Sequence, residues 1–422
     1  MIVTGCVRRL AFQSPSAAAN VAVLSHGKVL AATDAFRGRI SACHQTEHRR
    51  LNNSLARQVP WVSPGETGSA PDKTGLLEFN KMFPDIVRDL THTGRHLDVP
   101  RATKWFAKVL QYNMTGGKKY RGLAVVQSYR LLARNHEPTP EDIRLAIIMG
   151  WCLEMLHTSL LMTQDTVEQA DTRRGKPCWY LASDLVSNAG VALNDASLLE
   201  TGIYQLLKIH FEDKPYYVDV LELFHDVSHK AIMGQVMDTE TRADRSLQQF
   251  TMERYRTITK YRTAYHTFQM PVSLALYMAG IRDVETHRQA KTILMEMGQF
   301  YQVLADFLNC YGDPELTGRV GTDIENGKCT WLSVVALQRA SDPQLQVLQE
   351  CYGSKHPEKV AKVKQLYNIL GLPSTYKIYE DQTYALLCTQ IQQITRGLPH
   401  KLFFKFLQKV YVKDAYISRP IR

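Results

Sequence analysis

Asp165 and Glu168 stand three residues apart in the stretch LLMTQDTVEQADTRRGKPCWY, which runs from Leu160 to Tyr180. That spacing is close to one helical turn, so both carboxylates project from one face of a helix. Asp306 and Asn309 repeat the spacing in ADFLNCYGDPELTGRVGTDIENGKCTW, and Asp238 lies at the end of the apolar run AIMGQVMDTE. Oxygen ligands from facing helices suit Mg²⁺, which takes one or two carboxylates and completes its shell with water and substrate phosphate. The basic residues point to the same anion. TGGKKYRGL supplies Lys118 and Arg121, TRRG supplies Arg173 and Arg174, and GRVGTDIENGK supplies Arg319 and Lys328. Arginine forks and lysine point charges beside glycine, whose bare backbone lets an anion approach, are the usual means of holding phosphate.

Helices must carry these groups. Thr139 is placed as an N-cap, Pro140 fits the first helical position, and Glu141 and Asp142 put acids where the helix dipole favours them. The run that follows is apolar on most faces for about seven turns, which predicts a central, buried helix ending at the first acidic pair. Amphipathic spacing predicts further helices over Tyr217 to Thr239, Gln249 to Ala279, Glu285 to Tyr311 and Tyr384 to Val410. Gly312-Asp313-Pro314 stops the third of these, and the Gly-rich polar loop after it is placed to close over a site. Strand alternation is nearly absent, so the fold class is all-α.

The chain has 422 residues and 45% apolar content, enough for a substantial core. Its net charge is +10, but eight basic residues against two acids fall within 1–57, so most of the excess sits in the leader. The remainder is too mild to argue for nucleic acid. That Arg-, Ser- and Ala-rich leader has the composition of an organelle transit peptide, and a linker follows over 58–75, rich in Pro, Ser and Gly. A single domain is then expected over 76–422. Eight scattered cysteines read as reduced thiols in an intracellular compartment, mitochondrial if the leader is a transit peptide and cytoplasmic otherwise. Glu154 and His157 interrupt the most apolar run, which argues against a membrane span.

These motifs resemble those of the trans-isoprenyl diphosphate synthases over roughly Phe79 to Tyr411. GGKKYRG is similar to that family's GGKxxRG, QDTVEQADTRRGKPCWY to its first aspartate-rich segment, and ADFLNCYGDPELTGRVGTDIENGKCTW to its second. The resemblance implies an isoprenoid synthase-type helical bundle around a deep central cavity, a homodimer, and Mg²⁺ bridging an allylic diphosphate. By position, Lys118, Arg121, His157 and Arg174 fall on the pocket for isopentenyl diphosphate. Arg173, Arg262, Arg319 and Lys328 fall around the allylic diphosphate, with Thr263 beside Arg262 and Gln235 and Gln302 as further substrate contacts. Asp165, Glu168, Asp238, Asp306 and Asn309 are the implied metal ligands, with Asp313 as a further candidate.

The departures from the family pattern shape the functional expectation. The family writes DDxxD twice, whereas Gln164 and Ala305 stand here for the two leading aspartates. Tyr120 adds bulk beside the isopentenyl pocket, and Ser159 and Leu160 replace aromatics beneath the allylic chain, deepening the cavity. Tyr265, Phe268, Phe300, Tyr301 and Phe307 fall near it, where aromatic faces stabilise a carbocation. A chain that keeps the means of holding one diphosphate and loosens the means of joining two resembles the insect terpene synthases derived from this family. A sesquiterpene synthase acting on farnesyl diphosphate is therefore expected, with a prenyltransferase that condenses isopentenyl diphosphate as the alternative and a non-catalytic subunit as a third reading.

Overall fold

The Thr139 hydroxyl accepts the Asp142 N–H at 3.1 Å while the Asp142 carboxylate accepts the Thr139 N–H at 2.9 Å, a reciprocal cap that starts the longest helix. The computed structural model describes residues 73–91, 98–133, 137–182, 186, 188–243, 246–317, 320–395 and 397–411. The leader and the linker as far as residue 72 lie outside the described residues, as does Arg319. Residues 73–75, assigned to the linker by composition, already belong to the first helix.

The helices in chain order begin with α1 (Lys73–Lys81), α2 (Phe83–Thr91), α3 (Pro100–Met114), α4 (Tyr120–Leu132) and α5 (Pro140–Glu168). Two short strands, β1 (Thr172–Arg173) and β2 (Lys176–Pro177), pair antiparallel as a hairpin before α6 (Ala189–Phe211) and α7 (Tyr217–Ala243). Next come α8 (Met252–Thr259), a π-helical segment (Lys260–Gln269) and α9 (Met270–Met278), then α10 (Val284–Tyr311) and α11 (Pro314–Thr317). The chain closes with α12 (Trp331–Arg339), α13 (Asp342–Cys351), α14 (Pro357–Ile369), α15 (Leu372–Gln392) and α16 (His400–Val410).

Helix α5 is long and apolar enough to cross a membrane, yet 83% of its apolar window is buried within the protein. It packs against α4 and α6. The α4 contact is a backbone crossing, because a Cβ on Gly150 would stand 2.7 Å from the Gly122 carbonyl oxygen. Trp151, Met149 and Ile148 anchor the core there. A second apolar core joins α8, α10 and α12 to α15, where Phe307 and Tyr376 stack at 3.9 Å between ring centroids.

Two expected helices are subdivided. The stretch from Tyr384 to Val410 breaks between α15 and α16, because Gly397 turns with φ 73° and Pro399 precedes the restart. The stretch from Gln249 to Ala279 holds ten residues of π-helix in its middle.

Candidate active site

The first acidic pair ends α5, and the hairpin folds back beside it. Arg174 and Gly175 both have positive φ, 54° and 76°, which is the two-residue turn whose twist suits a hairpin. The hairpin is fixed by Cys178 N–H to Asp171 O at 2.9 Å and by the Tyr112 hydroxyl to Pro177 O at 2.9 Å. Beyond it, buried Asp195 accepts the indole N–H groups of Trp105 and Trp179 at 2.8 and 2.9 Å. So held, Arg173 grips Asp165 with both prongs, Nε donating at 2.9 Å and Nη2 to the other oxygen. Arg174 turns the other way, donating to Asn113 O at 3.0 Å and lying against Gly117, where a Cβ would come within 2.9 Å of its Nε.

Glu168 faces different cations. Arg262 Nη2 lies 2.9 Å away, Lys328 Nζ 3.0 Å and Arg242 Nη2 3.6 Å, while the Gln164 amide donates at 3.1 Å. Burial opposes ionisation, but the charges of Lys328, Arg262 and Arg242 outweigh it and hold the carboxyl down at about 2. Gln164, in the place of the family's leading aspartate, thus supports Glu168. Arg262 also reaches Asp238 through Nη1 at 2.5 Å, so one guanidinium bridges acids from two helices.

Among the described residues Asp306 meets no cation. It accepts the Trp331 N–H at 2.9 Å, at the start of α12, and the Gln302 amide at 2.8 Å. Gln302 in turn accepts the Thr263 hydroxyl at 2.8 Å. Burial and the charge of Asp323 push the Asp306 carboxyl up to about 7, against those two hydrogen bonds. Asn309 is placed otherwise than its sequence assignment: its amide oxygen accepts the Asp323 N–H at 3.0 Å, and Gly321 packs on its backbone. The carboxylate delivered to the cavity is therefore that of Asp323, 3.5 Å from Lys328 Nζ. Asp313 accepts the Glu315 N–H at 2.9 Å and serves as a turn residue.

A cavity of about 470 Å³ is lined by part of this set, though not by Asp165, Glu168, Arg174, Arg242 or Asn309. Asp238, Arg262, Asp306, Asp323 and Lys328 line it together with Arg121, His157 and His266, and Ser159, Leu160 and Tyr301 contribute polar, apolar and aromatic wall. Gln235, Thr263 and Gln302 also line it. A smaller cavity of about 110 Å³ beside Gly116 and Gly117 is lined by Arg173, Arg174 and Asp165. Arg121 Nε and Nη2 donate to the Thr267 hydroxyl at 3.1 and 2.9 Å, and Lys118 Nζ lies 5.7 Å from the Tyr120 ring centroid. Tyr120 corrects the expectation of bulk in the isopentenyl pocket, since its side chain is 44% exposed and lines neither cavity. Tyr265, Phe268, Phe300 and Phe307 are buried in the two cores, so only Tyr301 of the aromatic set faces the larger cavity.

Sequence reasoning missed Arg242, Asp323, Thr267 and the structural role of Glu154. Glu154 is buried and accepts the Arg121 and Gly122 N–H groups at 3.1 and 2.9 Å, capping α4 from α5 and so aiming Arg121. Among the described residues no three acids or imidazoles form a ready chelate for a metal ion. An all-oxygen set of carboxylates on separate helices still suits Mg²⁺, whose shell water and phosphate complete.

Residues 103–370 match the family model described as polyprenyl synthetase. The chain is 48% identical over 339 residues to a farnesyl pyrophosphate synthase of Nezara viridula, covering 80% of this chain and 83% of that protein. It is 43% identical over 340 residues to the farnesyl pyrophosphate synthase of Gallus gallus, covering 80% and 92%. A solved structure of T. brucei farnesyl diphosphate synthase, complexed with the bisphosphonate BPH-722, superposes with a TM-score of 0.71 at 28% identity, over 81% of this chain and 98% of that one. These relatives are prenyl diphosphate synthases, which overturns the expectation of a terpene synthase drawn from the missing aspartates.

Proposed function

We infer that this chain, which belongs to the polyprenyl synthetase family, is an isoprenyl diphosphate synthase that joins isopentenyl diphosphate to an allylic diphosphate. The observation that carries the reading is a second cationic seat. Arg262, Lys328 and Arg242 gather at Glu168 and Asp238, while Arg121 and Arg174 are held on other partners, the Thr267 hydroxyl and the Asn113 carbonyl. Ionising one diphosphate needs one seat; condensation needs two.

Arg262 and Lys328, with Arg173, receive the allylic diphosphate by moving from carboxylate to phosphate oxygens. Arg121 and Arg174, with Lys118, receive isopentenyl diphosphate. Asp165, Asp306 and neighbouring acids would hold Mg²⁺, which when bound would supply charge that stabilises the departing diphosphate. The carboxylates keep the cations near the site before substrate arrives, so the reorganisation is limited to their transfer from carboxylate to phosphate oxygens and is complete before negative charge develops on the leaving group. As the allylic carbon–oxygen bond breaks, the isopentenyl double bond attacks that carbon, and loss of a proton restores a double bond. Ser159 and Leu160 give the growing chain room, and the names of the relatives favour the fifteen-carbon farnesyl product.

The test is a purified protein given Mg²⁺, geranyl diphosphate and labelled isopentenyl diphosphate. Label in farnesyl diphosphate is the expected result. Consumption of farnesyl diphosphate alone, with no incorporation of label, would overturn the reading. The exposed apolar side chains of Met233 and Val236 on α7, which line neither cavity, support a homodimer, which light scattering checks. The thiols of Cys152, Cys178, Cys310, Cys329, Cys351 and Cys388 are unpaired, which favours a reducing compartment inside the cell. Fractionation distinguishes mitochondrial import through the leader from the cytoplasm.

A further inference from the structure

His266 lies on the π-helical segment, 6% exposed, with its ring in the wall of the larger cavity. Its Nε2 is 3.3 Å from the Thr267 hydroxyl, and its Nδ1 is buried without a hydrogen-bond partner among the described residues. The neighbouring bonds decide which nitrogen carries the proton. Arg121 takes up the acceptor side of the Thr267 hydroxyl, with Nε–H at 3.1 Å and Nη2–H at 2.9 Å both directed at the one oxygen. Thr267 has only its own proton left to offer, so Nε2 of His266 accepts and Nδ1 bears the hydrogen. A buried N–H with no partner is costly to leave unmet, which points to a ligand as its acceptor.

The surroundings favour an anion. His157 stacks on His266 with ring centroids 5.7 Å apart, and Arg121 is anchored on the adjacent Thr267. Burial, then the charge of Arg121, keeps both imidazoles neutral, with His266 further disfavouring charge on His157. A neutral ring adds a directed donor beside the guanidinium without adding charge that would repel it.

We propose that His266 donates its Nδ1–H to the diphosphate of isopentenyl diphosphate, alongside Arg121, and that Thr267 fixes the tautomer that makes this possible. This assignment rests on the synthase reading above. It adds a substrate-binding residue and a positioning hydroxyl, neither of which the acid and base motifs of the sequence reveal.

Two measurements test it on the full-length protein. Nitrogen-15 NMR of histidine-labelled protein, with His266 identified by its loss in His266→Asn, is expected to show the Nδ1–H tautomer and a shift of that signal when isopentenyl diphosphate is added. Steady-state kinetics are expected to show a KM for isopentenyl diphosphate raised about tenfold or more in His266→Phe, with the KM for the allylic substrate little changed, as loss of one bond to a charged acceptor requires. His266→Asn, whose amide N–H reaches near the position of Nδ1, should recover most of that loss. An Nε2–H tautomer, an Nδ1 signal unmoved by substrate, or wild-type KM in both variants would overturn the assignment and leave the synthase reading standing. Failure of the wild-type protein to take up isopentenyl diphosphate by calorimetry would remove both.

Discussion

Gly234 lies directly on the backbone of Arg262: a Cβ at position 234 would stand 2.6 Å from the Arg262 nitrogen and 2.9 Å from its Cα. On the other side of the π-helical segment, Gly298 of α10 packs on Ala264 with no more room. The segment is thus clamped between two glycines, and Arg262 is set one turn along from Gly234 against Asp238. Gly234→Ala should push the segment away, cost about 1–3 kcal/mol as overpacking does, and lower turnover by roughly a hundredfold through misplacement of the cation. Thermal unfolding and kcat measured together check this; unchanged turnover at normal stability would refute the clamp.

Arg262 bridges Glu168 and Asp238, and removing it leaves two buried carboxylates to share Arg242 and Lys328. Arg262→Met should destabilise the protein by about 3 kcal/mol, the usual cost of breaking a buried pair. Arg262→Lys should recover about half of that, because one ammonium cannot span both acids. Urea unfolding of the two variants gives the ordering, and equal stabilities would show that Arg242 alone suffices.

The sequence carries the helices well because the caps and apolar periods are local. The Thr139 cap and the Gly312 stop lie where their chemistry places them. The break near Gly397 and Pro399 is equally local, and those two residues were sufficient signal for it. Partner choice is different. Asp165 and Glu168 share a helix and a spacing, yet one meets Arg173 eight residues on and the other meets Arg262, 94 residues away. Nothing in the spacing of acids distinguishes these outcomes. The π-helical segment keeps helical apolar patterning, so its extra residue per turn is invisible before packing. Asp323 reaches the cavity only because Asn309 and Gly321 pin its loop.

Asp306 is buried beside Asp323, with no cation against it among the described residues, and its carboxyl is pushed up to about 7 from an ordinary 3.8. Between those values the unfolded chain is ionised and the folded chain keeps its proton. Its contribution to stability is therefore full below about pH 4, falls as pH rises toward 7, and is flat beyond. Asp306→Asn removes this titration. At pH 8 the variant should be at least as stable as wild type, with the difference shrinking as pH is lowered, while Mg²⁺-dependent condensation is lost. Denaturant titrations from pH 5 to 8 beside activity assays check both parts, and a variant that is less stable at pH 8 would contradict the account.

Arg174 occupies the left-handed region at φ 54°, a conformation that costs a non-glycine side chain about 1 kcal/mol or more. The strain turns its guanidinium toward Asn113 and Gly117. Asparagine tolerates that backbone but cannot reach so far. Arg174→Asn should therefore keep or slightly raise the melting temperature while raising the KM for isopentenyl diphosphate about tenfold or more. A parallel loss of stability and affinity would mean that the side chain acts through the fold.

His157 and His266 are both held well below their ordinary value of 6.5, first by burial and then by Arg121. Burial likewise lowers His210, although its bond to Asp89 opposes the shift. A depressed imidazole makes the unfolded chain bind more protons than the folded one once pH drops below about 6.5, so stability falls with pH there. That slope is opposite to the one from Asp306, and three imidazoles outnumber one carboxyl. Net stability should thus decline from pH 6.5 toward 5, and the variant His157→Gln with His266→Gln should flatten the decline by losing two of the three titrations. Urea midpoints across that range give the slope directly, and an unchanged slope in the double variant would show that these rings are charged in the folded protein.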